Sequence, residues 1–395
     1  MKRTGDNDFI KQLNYKLVLD AIRVHEPISR VELSRLTGLT RSTCTLICER
    51  MIRQGIIMET GKGDSTGGRP RILLQLNPQA GVVLGFKLMD DGFSCAAVDL
   101  RGAILSKQSR DIQRHSESAL YLDRFSGFVQ ESIDAHSATY PGIPILGLGL
   151  GLGGRISASE GMVLESSILG WKNVAIGPFL EDRFKLPVFV ENDVNTFAIG
   201  EKYFGAGKRF ESFLCLSVGE GIGLGIVLNG NLLSGAHHGA GEIGHITVTA
   251  EPSAPVCACG RRGCLEAYAA DRALVQGYTA QGGKQVSPEE LTELARAQDV
   301  LALEVFKKAG SYLGIAMSTL INLFDPQAII IGGERANAAP FFLPSLQEAV
   351  RQRTVYGLGE EVEIIPLQPG NDDWIRGVAA LAIREIFAAG NSLEV

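Results

Sequence analysis

Apolar positions in the first eighty residues fall into three helical patterns and a hairpin. Over residues 8–24, Phe9, Leu13, Leu17, Val18 and Ile22 recur at helical spacing and predict a helix with these residues on one side. Ser29 and Glu32 have capping-box spacing, which starts a second helix at Arg30, with Val31, Leu33 and Leu36 inward and Gly38 as its end. Thr40 caps a third helix, where Cys44, Ile47, Cys48, Met51 and Ile52 complete an apolar stripe before Gly55. Two short helices joined by a Gly-containing turn are a helix-turn-helix signature. Residues 61–71, Gly-rich and basic, read as a wing before the apolar segment Ile72 to Leu76. From residue 81 strands and helices alternate. Val82–Met89, Cys95–Asp99 and Ala103–Lys107 form a strand meander, and Phe213–Val218, Gly223–Leu228 and Asn231–Leu233 repeat it about 130 residues later. The expected fold is α/β: an N-terminal winged helix-turn-helix, then two similar lobes as in actin-like sugar kinases. The expected domains are the head at 1–80, lobe 1 at 81–195 completed by a C-terminal helix over 373–395, and lobe 2 at 196–372. Two unrelated meanders are the alternative.

Charge separates head from body. Residues 1–80 hold 13 Lys and Arg against 8 Asp and Glu, whereas residues 81–395 hold 25 against 36. A basic head on an acidic body implies that only the head meets a polyanion. On the third helix Arg41, Ser42, Thr43 and Thr45 are placed to meet the major groove or phosphates, and Lys62 and Arg69 of the wing to meet the backbone or minor groove. A three-helix protein-interaction module is the alternative. No apolar run is long enough to span a membrane; the most apolar stretch, Ile143 to Gly154, suits a buried strand. Seven Cys, three of them within eight residues, imply a reducing cytoplasm rather than a disulfide framework.

Those three Cys carry the strongest chemical signal. Gly241-Glu242-Ile243-Gly244-His245 precedes Cys257-Ala258-Cys259-Gly260-Arg261-Arg262-Gly263-Cys264-Leu265-Glu266. His245, Cys257, Cys259 and Cys264 make a closed tetrahedral set for a structural Zn²⁺. Cys44 and Cys48 lie on the buried stripe and read as core. Glu242 and Glu266 bracket the zinc loop, and Asn192-Asp193 follow an apolar strand, Leu186 to Val190, at the end where ligands of α/β sheets sit. Carboxylates, an amide and an imidazole in one cleft would make a hydroxyl-rich receptor.

With these motifs the chain resembles the ROK family (repressors, open reading frames, kinases) over essentially its whole length. Its head looks like those of the family's transcriptional repressors, most closely the bacterial xylose repressors, through Asn14-Tyr15-Lys16-Leu17, Pro27-Ile28-Ser29-Arg30, Leu36-Thr37-Gly38-Leu39 and Gly67-Gly68-Arg69-Pro70. The resemblance implies sugar contacts from Gly154, Arg155, Ser167, Asn192, Asp193, Glu242, His245 and Glu266, and zinc on His245, Cys257, Cys259 and Cys264. Ser167 departs from the Asn or Thr common in relatives.

In the family's kinases Asp193 would be the general base, so a sugar kinase is the competing reading. The family's first phosphate loop, Asp-x-Gly-x-Thr, here reads Lys87-Leu88-Met89-Asp90-Asp91, and its second, Gly-Thr-Gly-x-Gly, reads Gly219-Glu220-Gly221-Ile222-Gly223. A carboxylate about 4 Å from a phosphate costs about 4 kcal/mol at an effective dielectric near 20. The expectation is therefore no enzyme: a cytoplasmic sugar-responsive regulator, a repressor of carbohydrate genes such as those for xylose, with Asp193 as a vestigial base. Its partners would be a double-stranded DNA operator, a small-molecule sugar and a second copy of the chain, as a homodimer or dimer of dimers, with no membrane contact. Sugar binding would change the lobe angle, and the C-terminal helix Asp373 to Ala388 would carry that change to the head.

Overall fold

A computed structural model describes residues 7–63, 71–112, 118–368 and 372–388. The chain forms two compact units, Met1–Thr196 with Trp374–Val395, and Phe197–Asp373.

The first unit begins with the helices α1 (Asn7–His25), α2 (Arg30–Thr37) and α3 (Arg41–Arg53) and the strands β1 (Ile28–Ser29), β2 (Ile57–Gly63) and β3 (Arg71–Leu76). The strands make an antiparallel sheet in the order β1-β3-β2. Local chemistry sets these boundaries. The Ser29 side chain accepts from the Glu32 N–H while Glu32 accepts from the Ser29 N–H, Gly38 closes α2 at φ 70°, and Thr40 caps α3. Tyr15, Val18, Leu19, Ile22, Leu33, Cys44, Cys48 and Met51 are buried. Two expectations need correcting. Phe9, Leu13 and Leu17 are exposed rather than sharing the buried side of Val18 and Ile22, and Leu36 is 54% exposed rather than inward. An apolar residue at helical spacing shows a face, not which of two faces meets the core.

The same unit continues as a sheet ordered β11-β7-β4-β5-β6. β4 (Val82–Leu88), β5 (Gly92–Asp99) and β6 (Ile104–Asp111) are the antiparallel meander, and β7 (Ile145–Leu152) and β11 (Val188–Asn192) run parallel to β4 and β7 respectively. A small sheet of β8 (Arg155–Ser157), β9 (Met162–Ser166) and β10 (Trp171–Val174) lies between β7 and the helix α5 (Ile176–Phe184) in the chain. One face of the main sheet is covered by α4 (Ser118–Thr139): Phe86 meets Phe125 and Phe128 edge-on, with centroids 5.5 and 6.1 Å away. The other face receives α13 (Asp372–Ala388). There Gly85 and Gly149 stand where a side chain would collide with Ile375 and Val378, so bare backbone lets the helix lie close. Head and sheet are joined by Glu26. It accepts from the Leu76 N–H at 2.6 Å and from the Arg101 Nε–H at 2.8 Å, at the β5–β6 turn.

α6 (Asp193–Tyr203) leads into the second unit. Its sheet runs β14-β13-β12-β15-β16, with β12 (Phe213–Val218), β13 (Ile222–Leu228) and β14 (Asn231–Leu232) as the meander and β15 (Ala328–Gly332) and β16 (Glu363–Pro366) parallel to it. This is the order of the first unit's sheet, so the repeat read from the meanders extends to five strands. The short α7 (Glu266–Ala269), α8 (Asp271–Ala280), α9 (Pro288–Arg296), α10 (Val300–Phe324), α11 (Ala339–Arg353) and α12 (Leu358–Glu361) complete the unit. α10 and α11 pack closely through Gly310 and Gly314, where a Cβ would strike α11. Among the described residues no helix is long and apolar enough to cross a membrane.

Candidate functional site

On α3 the buried stripe of Cys44, Cys48 and Met51 turns the opposite side outward. Arg41 and Ser42 are exposed, and Thr43 and Thr45 are half-buried. The hydroxyls of Ser42 and Thr43 lie 2.9 and 2.8 Å from that of the cap Thr40, and the Thr45 hydroxyl donates to the Arg41 carbonyl at 2.8 Å. These bonds fix side-chain directions at the N-terminal end of the helix. The same face carries Leu46, 65% exposed, and exposed Glu49, which the charge-led reading passed over. Lys62 stands on β2 in register with Ile72, and Arg69 lies outside the described residues.

In the first unit the turn after β7, the turn after β9 and the start of α6 come together. Gly154 has φ 131°, and a Cβ there would strike the Glu165 carbonyl oxygen. Asn192 donates from Nδ2 to the Gly154 carbonyl at 3.0 Å and accepts at Oδ1 from the Asn195 N–H at 3.1 Å. One amide N–H and one lone pair remain for a ligand. Asp193 opens α6, its Oδ1 accepting from the Val194 N–H at 2.9 Å, while Oδ2 faces Gly153. A carboxylate is favoured at this end of a helix. Arg155 is exposed, 3.7 Å from Glu165, and Ser167 is exposed next to Ser166, whose hydroxyl donates to the Gly153 carbonyl at 2.6 Å. At the end of β4 the Lys87 ammonium lies 4.6 Å over the Trp374 ring, a cation–π contact at the place of the first phosphate loop.

In the second unit Glu242 precedes, and His245 ends, a single 3₁₀ turn, Ile243–His245. Glu242 is exposed, and Glu266, at the start of α7, lays Oε2 against Gly221 and Gly244. The donor atoms of His245, Cys257, Cys259 and Cys264 lie within 4.8 Å of one another. His245 Nδ1 is 3.6 Å from Cys257 Sγ, and Cys259 Sγ is 3.7 Å from Cys264 Sγ. A tetrahedron with Zn–S near 2.3 Å has edges of about 3.8 Å, so the donors fit a Zn²⁺. The backbone holds them there. Cys257 N–H donates to the Arg261 carbonyl at 2.8 Å, and Gly263, at φ 76°, presses on the Thr249 carbonyl where a Cβ would collide. With Nδ1 toward the sulfurs, the His245 ring has Nε2 left for another partner. The Arg261 N–H pulls the Cys259 thiol down to about 6, close to the thiolate a metal needs.

The second phosphate loop follows β12. Its Gly219 N–H is already donated to the Gly221 carbonyl at 3.1 Å, and the Gly219 carbonyl accepts from the Asp271 N–H at 2.9 Å. The Glu334 carboxylate fills the space above Gly219. Buried Arg335 is ion-paired with Asp271 at 2.8 Å and with Glu289. A polyphosphate cradle needs free N–H donors and positive potential. Here two carboxylates, Asp271 and Glu289, hold one guanidinium, and a third, that of Glu334, stands over Gly219. Gly333, at φ 92°, packs against Val218 where a Cβ would collide.

The sequence profile of the ROK family matches residues 84–385. The chain belongs to the ROK family. A winged helix-turn-helix DNA-binding profile matches residues 16–58, ahead of the ROK body. The chain is 32% identical to the xylose repressor of Bacillus spizizenii over 386 residues, covering 97% of this chain and 98% of that one. Among solved structures, a ROK family transcriptional regulator described as a homolog of the E. coli MLC protein superposes with a TM-score of 0.85 at 30% identity, covering 98% of both chains. A ROK hexokinase from Thermus thermophilus reaches a TM-score of 0.64 at 32% identity and covers 77% of this chain and 99% of its own. The hexokinase's match thus takes in about three quarters of this chain, and the regulator's takes in nearly all of it.

Proposed function

We propose that this ROK protein is a sugar-responsive transcriptional repressor that binds operator DNA and releases it when sugar binds. The observation that carries the reading is a ROK body joined to a winged head, with the Glu334 carboxylate standing over Gly219 of its second phosphate loop. Arg41, Ser42, Thr43 and Thr45, with Lys62 and Arg69 of the wing, contact DNA. Gly154, Arg155, Ser167, Asn192, Asp193, Glu242, His245 and Glu266 bind sugar, and Asp193 serves as a hydrogen-bond acceptor rather than a base. Xylose is the first sugar to test, given the name of the Bacillus relative.

His245, Cys257, Cys259 and Cys264 hold a structural Zn²⁺, which fixes the imidazole so that Nε2 can meet a sugar hydroxyl. The repressor acts as a homodimer, because two-fold operators are read by paired heads. Sugar lowers operator affinity by its differential affinity for the DNA-competent and DNA-incompetent states, typically about 1–3 kcal/mol. The test is an operator-binding titration, on sites selected from genomic DNA, with and without pentoses, hexoses and amino sugars. One sugar is expected to weaken binding about 5- to 150-fold. Steady ADP release from Mg-ATP and any of these sugars would instead establish the kinase reading.

A further inference from the structure

Helix α1 is apolar on two sides. Tyr15, Val18, Leu19 and Ile22 are buried in the head, whereas Phe9, Ile10, Leu13, Leu17 and Val24 are each between 41% and 55% exposed. At 100° per residue the exposed five occupy one sector about 100° wide, a continuous stripe rather than scattered surface residues. With Phe9 left aside and Ala21 added at the far edge, its spacing reads the same in both directions. Ile10, Leu13, Leu17, half-buried Ala21 and Val24 stand at −7, −4, 0, +4 and +7 from Leu17. Lys16 and Asp20 lie along one edge of the stripe, and Asp20 already carries Arg23 at 3.3 Å.

We propose that this face of α1 pairs antiparallel with α1 of a second copy of the chain, across a two-fold axis at Leu17. The inference rests on the homodimer reading above and assigns it an interface. In that arrangement Ile10 meets Val24 of the second copy, Leu13 meets Ala21, and Leu17 meets itself. Lys16 of each chain comes beside Asp20 of the other, twice, so the charges complement one another as the apolar residues do. Self-complementarity of both kinds is what an isologous contact requires.

The stripe is about 24 Å long at 1.5 Å per residue. A single pair of such helices buries less than the ~1,200 Å² of a stand-alone specific interface. The pairing therefore works together with contacts elsewhere in the dimer. Its own effect is geometric. The buried side of α1 packs in the core that also holds Cys44, Cys48 and Met51 of α3, so fixing α1 against its copy also fixes the two α3 helices relative to one another, as reading paired half-sites requires.

The full-length Leu17→Cys variant tests this, because a residue on the axis can form a disulfide with itself. Sedimentation of the native chain is expected to show a dimer. Oxidation by copper phenanthroline is expected to convert most of Leu17→Cys, at low micromolar concentration, to a covalent dimer. Gln12→Cys, exposed on a different side of α1, should stay at the native chain's baseline. Leu17→Cys at baseline in a protein that sediments as a dimer would overturn the α1 pairing and leave the dimer standing. Equal cross-linking through Gln12→Cys would also overturn it. A monomer at every concentration would overturn both readings.

Discussion

Gly154 and Arg41 show two ways in which one residue can matter. Gly154 is fixed by backbone shape: at φ 131° against the Glu165 carbonyl, Gly154→Ala must move the turn that receives Asn192 Nδ2. The expected cost is about 1–3 kcal/mol of stability with loss of the sugar response, read by thermal unfolding with and without sugar. Arg41 is fixed by charge and exposure. Arg41→Ala should weaken operator binding by about 1–3 kcal/mol in filter or fluorescence titrations while sugar affinity stays unchanged. The sequence made the caps legible, since the Ser29–Glu32 box, the left-handed Gly38 and Thr40 each depend on neighbours within four residues. Leu36 and the exposed face of α1 were misread because burial depends on partners far away in the chain. Leu46 went unremarked because a leucine on a recognition face looks like core until its surroundings are known.

Among the elements, the loop 257–264 was legible through donor density alone, while the exact fit needed the two bridges, Thr247 with Cys264 and Val256 with Arg262, that fold it back. Cys264→Ser should reduce zinc from one per chain to none by elemental analysis and weaken sugar binding at least about tenfold, with operator binding retained. The second phosphate loop tells a different story. Its sequence showed an ill-placed Glu220, yet Glu220 is exposed, and the carboxylate that stands over the loop, at Gly219, is that of Glu334, next in the chain to the Arg335 that pairs with Asp271. Burial pushes the Asp271 carboxyl up to about 6, against the pull of Arg335. Its folded-state pKa thus exceeds the unfolded value of about 3.9. Between about pH 4 and 6 the folded chain keeps a proton that the unfolded chain has lost, so this group's contribution to stability falls as pH rises. Asp271→Asn should flatten that part of the melting-temperature profile relative to the native chain; a parallel profile would refute the assignment.

At the scale of the whole molecule, the two sheets share one strand order, and the meanders alone had indicated the repeat. What they could not indicate is that the head belongs to the same compact unit as the first sheet, with Glu26 bonded to both Leu76 and Arg101. A coupling route from sheet to head follows from this contact. Arg101→Ala should leave operator affinity without sugar, and sugar affinity itself, within about twofold. It should shrink the sugar-induced change in operator affinity toward none, as paired titrations would read. If the change survives at native size, the contact carries no coupling.

The return of α13 to the first sheet has a temporal meaning as well. A polypeptide grows from its N-terminus, so the head is synthesised first, yet Gly85 and Gly149 stay without their covering helix until everything from Phe197 to Asp373 has been translated. The contiguous second unit can mature beside the ribosome while the first waits. The first unit's sheet is therefore covered only near the end of translation, long after every residue of the head's own core has been made.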